Sequence, residues 1–214
     1  MTDDAIPTPK QARAVVTRNK IVQAAIDCLT EHGYAGASTT VIARRAGVSQ
    51  GALFKHFPAK PLLLGVATAE VFTLMRARFV QELVERATPG REMLDGLELL
   101  WEIYRDPRLQ AVFELYVATR TDDALGEVLR PVVADHYEGI MDIAAALFPA
   151  AAGTDEFAQA VTSLMLTLQG AALMIGMAPG GHDTRLPLEF VGQFAVGLLG
   201  PPNVQALGAP DGGE

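Results

Sequence analysis

The sequence predicts an all-α protein, and three observations support that fold class. Apolar residues recur at helical spacing along most of the chain, as at Ile21, Ala25 and Leu29. Prolines and glycines separate the periodic segments, where they end helices. No stretch alternates apolar and polar residues strictly enough to predict a strand. The chain has 214 residues, half of them hydrophobic, which is enough to bury a core without disulfides or a metal.

The first two predicted helices lead into a tight turn. The apolar stripe of the first helix ends at Gly33, a residue type that favours helix ends. A short second helix follows over residues 39–46, with Ser38 or Thr39 as its N-terminal cap. Gly47 ends that helix and is expected in the left-handed conformation, which other residues adopt only at a cost.

A third short helix and a long fourth helix come next. Ser49 is the expected cap of the third helix, which runs to Phe57 before Pro58 breaks it. The fourth helix is predicted from about residue 60 to residue 86, before a Pro-Gly pair. The two short helices joined by a glycine turn predict a helix-turn-helix between residues 38 and 60.

The remainder of the chain continues the helical pattern. Five more helices are predicted over residues 91–105, 108–119, 122–148, 155–178 and 187–199. Pro131 lies inside one of them and is expected to kink it. Residues 1–12 and 201–214 are rich in proline, glycine, aspartate and alanine, so they are predicted to be flexible tails.

One predicted helix lies in a segment without charge, from Phe157 to Gly181, which is long enough to span a bilayer. Polar residues occur along it, and its flanks lack a basic cluster, so we expect a buried helix of a soluble protein and no membrane association. Small residues here and in the next helix let another helix approach closely: Gly170, Ala172, Gly192, Ala195 and Gly197. We therefore expect a homodimer built from residues 155–178 and 187–199.

Charge is distributed unevenly along the chain. The net charge is −8, but residues 1–60 hold eight basic and four acidic residues. This distribution predicts that anion binding is confined to the N-terminal part. The single cysteine, Cys28, excludes a disulfide framework, and residues 1–10 lack the features of a signal peptide. A cytoplasmic protein is expected.

The residue types between 38 and 60 suit a DNA surface. The free N–H groups at the start of the second helix favour a phosphate. Gln50 can bond the edge of an adenine, and the small residues Gly51 and Ala52 let the third helix approach a groove closely. Three basic residues suit phosphates, namely Arg44, Lys55 and Lys60.

Together these features resemble the N-terminal DNA-binding domain of the TetR family of transcriptional regulators. The elements of the family motif occur here as Gly33-Tyr34, Ser38-Thr39-Thr40 and the run from Ile42 to Lys60. The resemblance implies an all-helical homodimer with a helix-turn-helix DNA-binding domain over residues 13–60. The long fourth helix joins it to a C-terminal helical domain over residues 61–200, which binds an effector and dimerises through its last two helices.

The resemblance also assigns the contacts to double-stranded operator DNA. The expected residues are Thr39, Thr40, Arg44, Ser49, Gln50, Gly51, Ala52, Phe54, Lys55, His56 and Lys60. The family often carries Tyr where this chain has Phe54, so a hydroxyl that commonly bonds a phosphate is missing. Ala52 likewise lacks the hydroxyl that relatives often carry. Base recognition is therefore expected to depend on Gln50, on Arg44 and on DNA shape.

Aromatic and methionine residues in the middle of the chain predict an apolar ligand pocket. Methionine adapts to varied shapes, and tyrosine adds a polar group to an apolar wall. The candidate residues are Phe72, Met75, Met93, Trp101, Tyr104, Phe113, Tyr116, Tyr137 and Met141. Few charged residues lie among them, which favours a small hydrophobic effector. Each residue taken singly fits an ordinary core equally well.

The sequence contains no catalytic constellation, so an enzyme is not expected, and neither is a cofactor or a metal. His136 lies next to Asp135, but no second histidine stands at ligand spacing. The preferred function is a ligand-responsive transcriptional regulator, a repressor released from a pseudo-palindromic operator by its effector. The alternative is a dimeric DNA-binding regulator whose C-terminal domain only dimerises.

Overall fold

A computed structural model describes residues 9–174 and 188–208 of the chain. These residues form helices joined by turns, without a strand, which confirms the all-α prediction. The described helices, in chain order, are α1 (Pro9–Gly36), α2 (Thr39–Arg45), α3 (Gln50–His56), α4 (Lys60–Arg86), α5 (Glu92–Tyr104), α6 (Pro107–Ala118), α7 (Asp123–Leu147), α8 (Phe157–Leu173), α9 (Leu188–Leu199) and α10 (Gln205–Gly208).

Most of the predicted helix bounds are confirmed to within two residues, and α4 has the predicted ends. The helical path of α1 breaks at Gly33, where φ is 66°, and one further turn follows to Gly36. The helix α7 continues through Pro131. The uncharged helix α8 is shorter than predicted and ends at Leu173, while residues 175–178 lie outside the described part.

Parts of both predicted tails are helical instead of flexible. Helix α1 already begins at Pro9, so residues 9–12 belong to it. At the other end, the backbone N–H of Asn203 donates to the carbonyl of Leu147 at 2.7 Å. Val204 is buried, and the short helix α10 follows. One hydrogen bond and one apolar anchor thus fix this segment. Residues 1–8 and 209–214 of the predicted tails lie outside the described residues.

The chain folds into two compact units. Among the described residues, one unit comprises residues 9–71 and 111–132, and the other comprises residues 72–110, 133–174 and 188–208. This division differs from the boundary expected near residue 60, because α4, α6 and α7 each contribute residues to both units. A helix-turn-helix is too small to bury a core alone, so it recruits residues from later in the chain.

The core of the first unit combines short and long helices. Its buried side chains include Ile21 and Leu29 of α1, Ile42 of α2, Leu53 of α3, Leu64 of α4, Leu115 of α6 and Leu125 of α7. The two short helices bury few residues each, so most of their stability comes from packing on this shared core.

In the second unit, α5, α8 and α9 pack against one another. Gly192 of α9 permits this packing, because a Cβ added there would lie 3.3 Å from the Leu97 side chain of α5. The described residues contain no helix with the length and apolar character needed to cross a membrane.

Candidate functional site

The helix-turn-helix has the local geometry that its sequence predicts. The Ser38 hydroxyl accepts a hydrogen bond from the Val41 N–H at 3.3 Å and caps α2. The Ser49 hydroxyl accepts from the Ala52 N–H at 3.1 Å and caps α3. Between the helices Gly47 has a φ of 68°, which confirms the left-handed turn. These contacts fix where α3 begins and which of its faces points away from the core.

The first residue of α3 contacts the first residues of α2. The side-chain Nε2 of Gln50 lies 3.4 Å from the Thr39 hydroxyl and 3.3 Å from the Thr40 hydroxyl. All three residues belong to the predicted DNA contacts, so the structure brings this part of the predicted site together. The Gln50 side chain is exposed, and its carbonyl oxygen remains available as an acceptor.

The outer face of α3 carries small, aromatic and basic residues. Gly51 is exposed, and a Cβ added there would meet no atom within 4 Å. Phe54 and Lys55 are also exposed, whereas the predicted contacts Ala52 and His56 are half-buried. The protein itself therefore has room for a larger residue at position 51.

The two arginines of α2 differ in what they contact. Arg44 is exposed. Arg45 forms ion pairs with Glu31 and, at 3.3 Å, with Asp27 of α1. The hydrogen bond from Arg45 lowers the pKa of Glu31. Both arginines are exposed, and Arg45 holds α2 on α1 through its ion pairs.

Lys60 has partners inside the protein. Its ammonium donates to the backbone carbonyl of Tyr34 at 3.0 Å and lies 4.0 Å from the centre of the Tyr34 ring. Burial lowers the pKa of Lys60. A phosphate contact through this side chain stays a prediction, and the ammonium would have to leave Tyr34 to form it.

Tyr34 connects four parts of the first unit. Its hydroxyl donates to Asp122 at 2.5 Å, its N–H donates to Glu114 at 2.9 Å, and its carbonyl accepts from Lys60. Burial and the bond to Asp122 raise the pKa of Tyr34 to about 12. Gly33 makes this approach possible, because a Cβ there would lie 2.8 Å from the Glu114 carboxylate. The sequence indicates the Gly33-Tyr34 pair but not Glu114 and Asp122 as its partners, because these lie 80 and 88 residues from Tyr34.

The start of α1 adds basic residues that the predicted contacts did not include. Residues 11–20 are exposed except for the half-buried Thr17, and Arg13, Arg18 and Lys20 lie among them. The guanidinium of Arg18 lies 5.1 Å from the centre of the Phe57 ring, just after α3. The excess of basic over acidic residues near the N-terminus was the available signal for this surface.

The nine predicted pocket residues are divided between the two units. Phe113 and Tyr116 belong to the first unit, where their ring centres are 5.9 Å apart. The other seven belong to the second unit. Four of these are buried, namely Phe72, Met75, Trp101 and Tyr104, and three are half-buried, namely Met93, Tyr137 and Met141. The structure therefore places most of this set in the second unit, on α4, α5 and α7.

Helices α8 and α9 carry large apolar side chains in exposed positions. Phe190 and Phe194 lie one turn apart on α9 and are 70% and 62% exposed. Leu166, Leu173 and Met174 are exposed in and just after α8. The small residues expected at a dimer interface divide differently, because Ala172, Gly192 and Ala195 are buried within the protomer, while Gly170 and Gly197 are exposed. The two phenylalanines were missed, although their i, i+4 spacing marks one helix face.

Comparison with known proteins relates this arrangement to bacterial regulators. The sequence profile described as bacterial regulatory proteins, tetR family, matches residues 21–65. An HTH-type transcriptional regulator of Mycobacterium bovis is 34% identical over 182 residues, which cover 84% of this chain and 93% of that protein. The HTH-type transcriptional regulator CymR of Pseudomonas putida is 35% identical over 126 residues, which cover 56% of this chain and 60% of CymR.

Solved structures show the same likeness in three dimensions. The crystal structure of the multidrug binding protein EbrR complexed with imidazole has a TM-score of 0.62 and 25% identity to this chain. The alignment covers 88% of this chain and 97% of EbrR. The likeness therefore extends from the helix-turn-helix through most of the remaining helices.

Proposed function

Because this chain belongs to the tetR family of bacterial regulatory proteins, it is a DNA-binding regulator of transcription, and we propose that it acts as a dimeric repressor. In this proposal a small, mainly apolar ligand releases the dimer from a pseudo-palindromic operator.

The exposed surface of α2 and α3 carries the DNA-binding part of the proposal. No acidic residue occurs between Glu31 and Glu70, whereas Arg44 and Lys55 occupy exposed positions. A polyanion is the partner that suits such a surface. Gln50, positioned beside two threonine hydroxyls, supplies a group that can distinguish adenine from the other bases.

The exposed start of α1 extends this surface. Its basic residues lie in a stretch without acidic residues from Ala5 to Ile26. Arg18 lies beside Phe57 at the end of the helix-turn-helix, so phosphate contacts from α1 and from α3 are compatible with one bound duplex.

The exposed apolar side chains of α8 and α9 support the dimer. Phe190 and Phe194 would leave water if a second copy packed on them, and burial of apolar area is the main driving force of such association. A two-fold dimer presents two copies of α3. Its half-sites should then be separated by one helical turn of DNA, about 34–36 Å, or by a multiple of it.

Ligand response depends in this proposal on α4, which belongs to both units. Its residues up to Val71 lie in the first unit and those from Phe72 in the second. A ligand held near Phe72, Met75 and Trp101 would favour one position of α4 and thereby alter the helix-turn-helix attached to it. Since coupling of this kind is reciprocal, operator DNA must weaken ligand binding by the factor by which ligand weakens DNA binding.

DNA selection tests the operator part of the proposal. The purified protein is incubated with random and genomic fragments, and the bound fragments are sequenced. We expect an inverted repeat whose sequence preference changes in the Gln50→Ala variant. Bound fragments without a shared motif would contradict sequence-specific recognition.

A reporter assay tests repression. The selected operator is placed in a promoter, and transcription is measured with and without the protein. We expect the protein to lower transcription, and an increase would make it an activator.

A ligand screen separates the proposal from an effector-free regulator. Apolar compounds are screened by thermal shift, and each hit is titrated against the protein–operator complex. We expect at least one hit to raise the melting temperature and to release DNA. If no compound binds, or if hits stabilise the protein without altering its DNA affinity, the ligand response is absent and the effector-free regulator is supported.

A further inference from the structure

A donor-rich cluster on α4 and α7 lies within the second unit. The Arg76 Nη1 lies 2.9 Å from His136 Nδ1. The His136 ring is stacked on the Phe72 ring, with the centres 3.7 Å apart and the planes 2° from parallel. All three residues belong to one unit, so the geometry of the cluster does not depend on the arrangement of the two units.

The hydrogen bond fixes the protonation of the histidine. Arginine donates hydrogen bonds and does not accept them, so His136 Nδ1 must be the acceptor, and the ring proton lies on Nε2. Burial, together with the charge of Arg76, lowers the pKa of His136 to about 4. The imidazole is therefore neutral near pH 7, and the pair carries one positive charge with several N–H donors.

The charge of Arg76 is weakly compensated within the cluster. The side chain of Arg76 is 21% exposed, and its guanidinium lies 3.8 Å from the Asp135 carboxylate. That carboxylate is 77% exposed, and ion pairs with well-solvated partners contribute little. A partly buried guanidinium ordinarily has a closer anionic partner.

The guanidinium of Arg76 packs against α7, and apolar residues precede Arg76 on its own helix. Gly139 on α7 leaves space for Arg76, because a Cβ added there would lie 2.9 Å from Arg76 Nε. Phe72 and Met75, both buried, precede Arg76 by four residues and by one residue on α4. Guanidinium groups bind carboxylates through two parallel hydrogen bonds.

We propose that Arg76, positioned by His136, recognises a carboxylate group on an otherwise apolar ligand. This inference rests on the proposed ligand response and specifies its chemistry: the effector is an apolar monocarboxylate, not a neutral hydrocarbon-like compound. The carboxylate pairs with the guanidinium of Arg76, which His136 Nδ1 holds in place, while its apolar body lies against the neighbouring side chains of the second unit.

Matched acids and amides test the proposal with the full-length protein. The probes are decanoate, 4-phenylbutyrate and 2-naphthoate, each compared with its primary amide, which has the same body without the charge. Binding is measured by titration calorimetry and by the fluorescence of the single tryptophan, Trp101. We expect at least one acid to bind ten-fold or more tightly than its amide.

Four variants assign the preference to particular side chains. Arg76→Gln should remove the preference for the acid and leave affinity for the amide within about two-fold. Asp135→Asn removes the competing carboxylate at an exposed position, so it should tighten acid binding several-fold. Gly139→Ala displaces the guanidinium without changing any charge and should weaken acid binding. Arg78→Gln is the matched control on the same helix, because Arg78 is paired with Glu82 at 2.6 Å.

The outcomes separate this inference from the proposed function. Amides that bind as tightly as acids, an Asp135→Asn variant without effect on acid affinity, or the absence of acid binding would each overturn the carboxylate site. If a neutral compound released operator DNA in that case, the proposed ligand response would stand although the carboxylate site had failed. If Arg76→Gln does not fold, the acid affinities of Asp135→Asn and Gly139→Ala still test the carboxylate site.

Discussion

The surface of α2 and α3 and the surface of α8 and α9 are both exposed, but their chemistry is opposite. The first presents Arg44, Gln50 and Lys55, with no acidic residue nearby in sequence. The second presents Phe190, Phe194 and several aliphatic side chains. Exposure alone therefore does not identify a partner. The kind of side chain exposed does: a charged duplex suits the first surface, and a second protein surface suits the other.

The two surfaces also differ in how they are supported. Two serine caps, a glycine turn and the ion pairs of Arg45 hold the polar surface. The apolar surface belongs to helices that bury their small residues, such as Ala172 and Gly192, against their neighbours. The following substitutions alter one surface and leave the other as a control.

The largest effect is expected from the core beneath the DNA-facing helix. Leu53 is fully buried, so Leu53→Ala should lower the free energy of unfolding by about 2–5 kcal/mol and abolish operator binding. Urea denaturation and fluorescence anisotropy with labelled operator measure the two effects. The neighbouring exposed residue is the control, and Phe54→Ala should cost far less stability. Equal losses of stability would contradict the burial of Leu53.

A charge on the apolar surface should separate the two protomers of the proposed dimer. Burial of a phenylalanine contributes about 1.5–3 kcal/mol, and a two-fold interface counts each residue twice. Phe194→Asp should therefore weaken dimerisation by about 100-fold or more, as measured by light scattering over a dilution series. Val117 is 65% exposed on α6, and Val117→Asp should leave the dimer intact. A dimeric Phe194→Asp protein would place the interface elsewhere.

Two glycines allow a matched test of close approach at the two surfaces. A Cβ at Gly51 or at Gly170 would meet no atom of the protomer within 4 Å. Alanine at either position should stabilise its own helix, by up to about 1 kcal/mol. Gly51→Ala should nevertheless weaken operator binding about ten-fold, because the added methyl holds α3 away from the groove, whereas Gly170→Ala should affect dimerisation alone. Unchanged operator affinity in Gly51→Ala would show that α3 does not approach DNA closely.

The smallest effect distinguishes Lys55 on the polar surface from Lys60 at the start of α4. Lys55 is exposed, whereas the Lys60 ammonium is bound to Tyr34. Lys55→Ala should lower the slope of log affinity against log salt by about 0.9, the loss of one phosphate contact. Lys60→Ala should lower the melting temperature and change the slope less. A larger decrease in slope for Lys60→Ala than for Lys55→Ala would assign the phosphate contact to Lys60.

The local features of the fold were predictable because they depend on neighbouring residues. Serine caps, the left-handed Gly47 and the ends of α4 follow from backbone chemistry within a few positions. The division into two units was not predictable in this way. The first unit joins residues far apart in sequence, as in the contacts between Tyr34 and residues 80 and 88 positions later, and no local pattern indicates such partners.

The candidate site also combines features set by neighbouring residues with features set by distant ones. Residue type assigned Gln50 and Lys55 to DNA contacts, and both are exposed, as that role requires. The environment of Lys60 depends on where Tyr34 lies, and so does its role. The Arg76–His136 pair was missed for a related reason, since its two residues are 60 positions apart and neither belongs to a spacing motif.

The Tyr34 junction has a consequence for how the protein is made. The core of the first unit requires Leu115 and Leu125, and the junction requires Glu114 and Asp122. A ribosome adds residues at roughly 5–20 per second and exposes them in order. The nascent chain therefore displays α1, α2 and α3 several seconds before it can close the core beneath them. Contacts of such long sequence separation form slowly. An incomplete chain that ends before Asp122 lacks Leu125 and the hydrogen bond from Tyr34 to Asp122, so its helix-turn-helix would rest on an unfinished core.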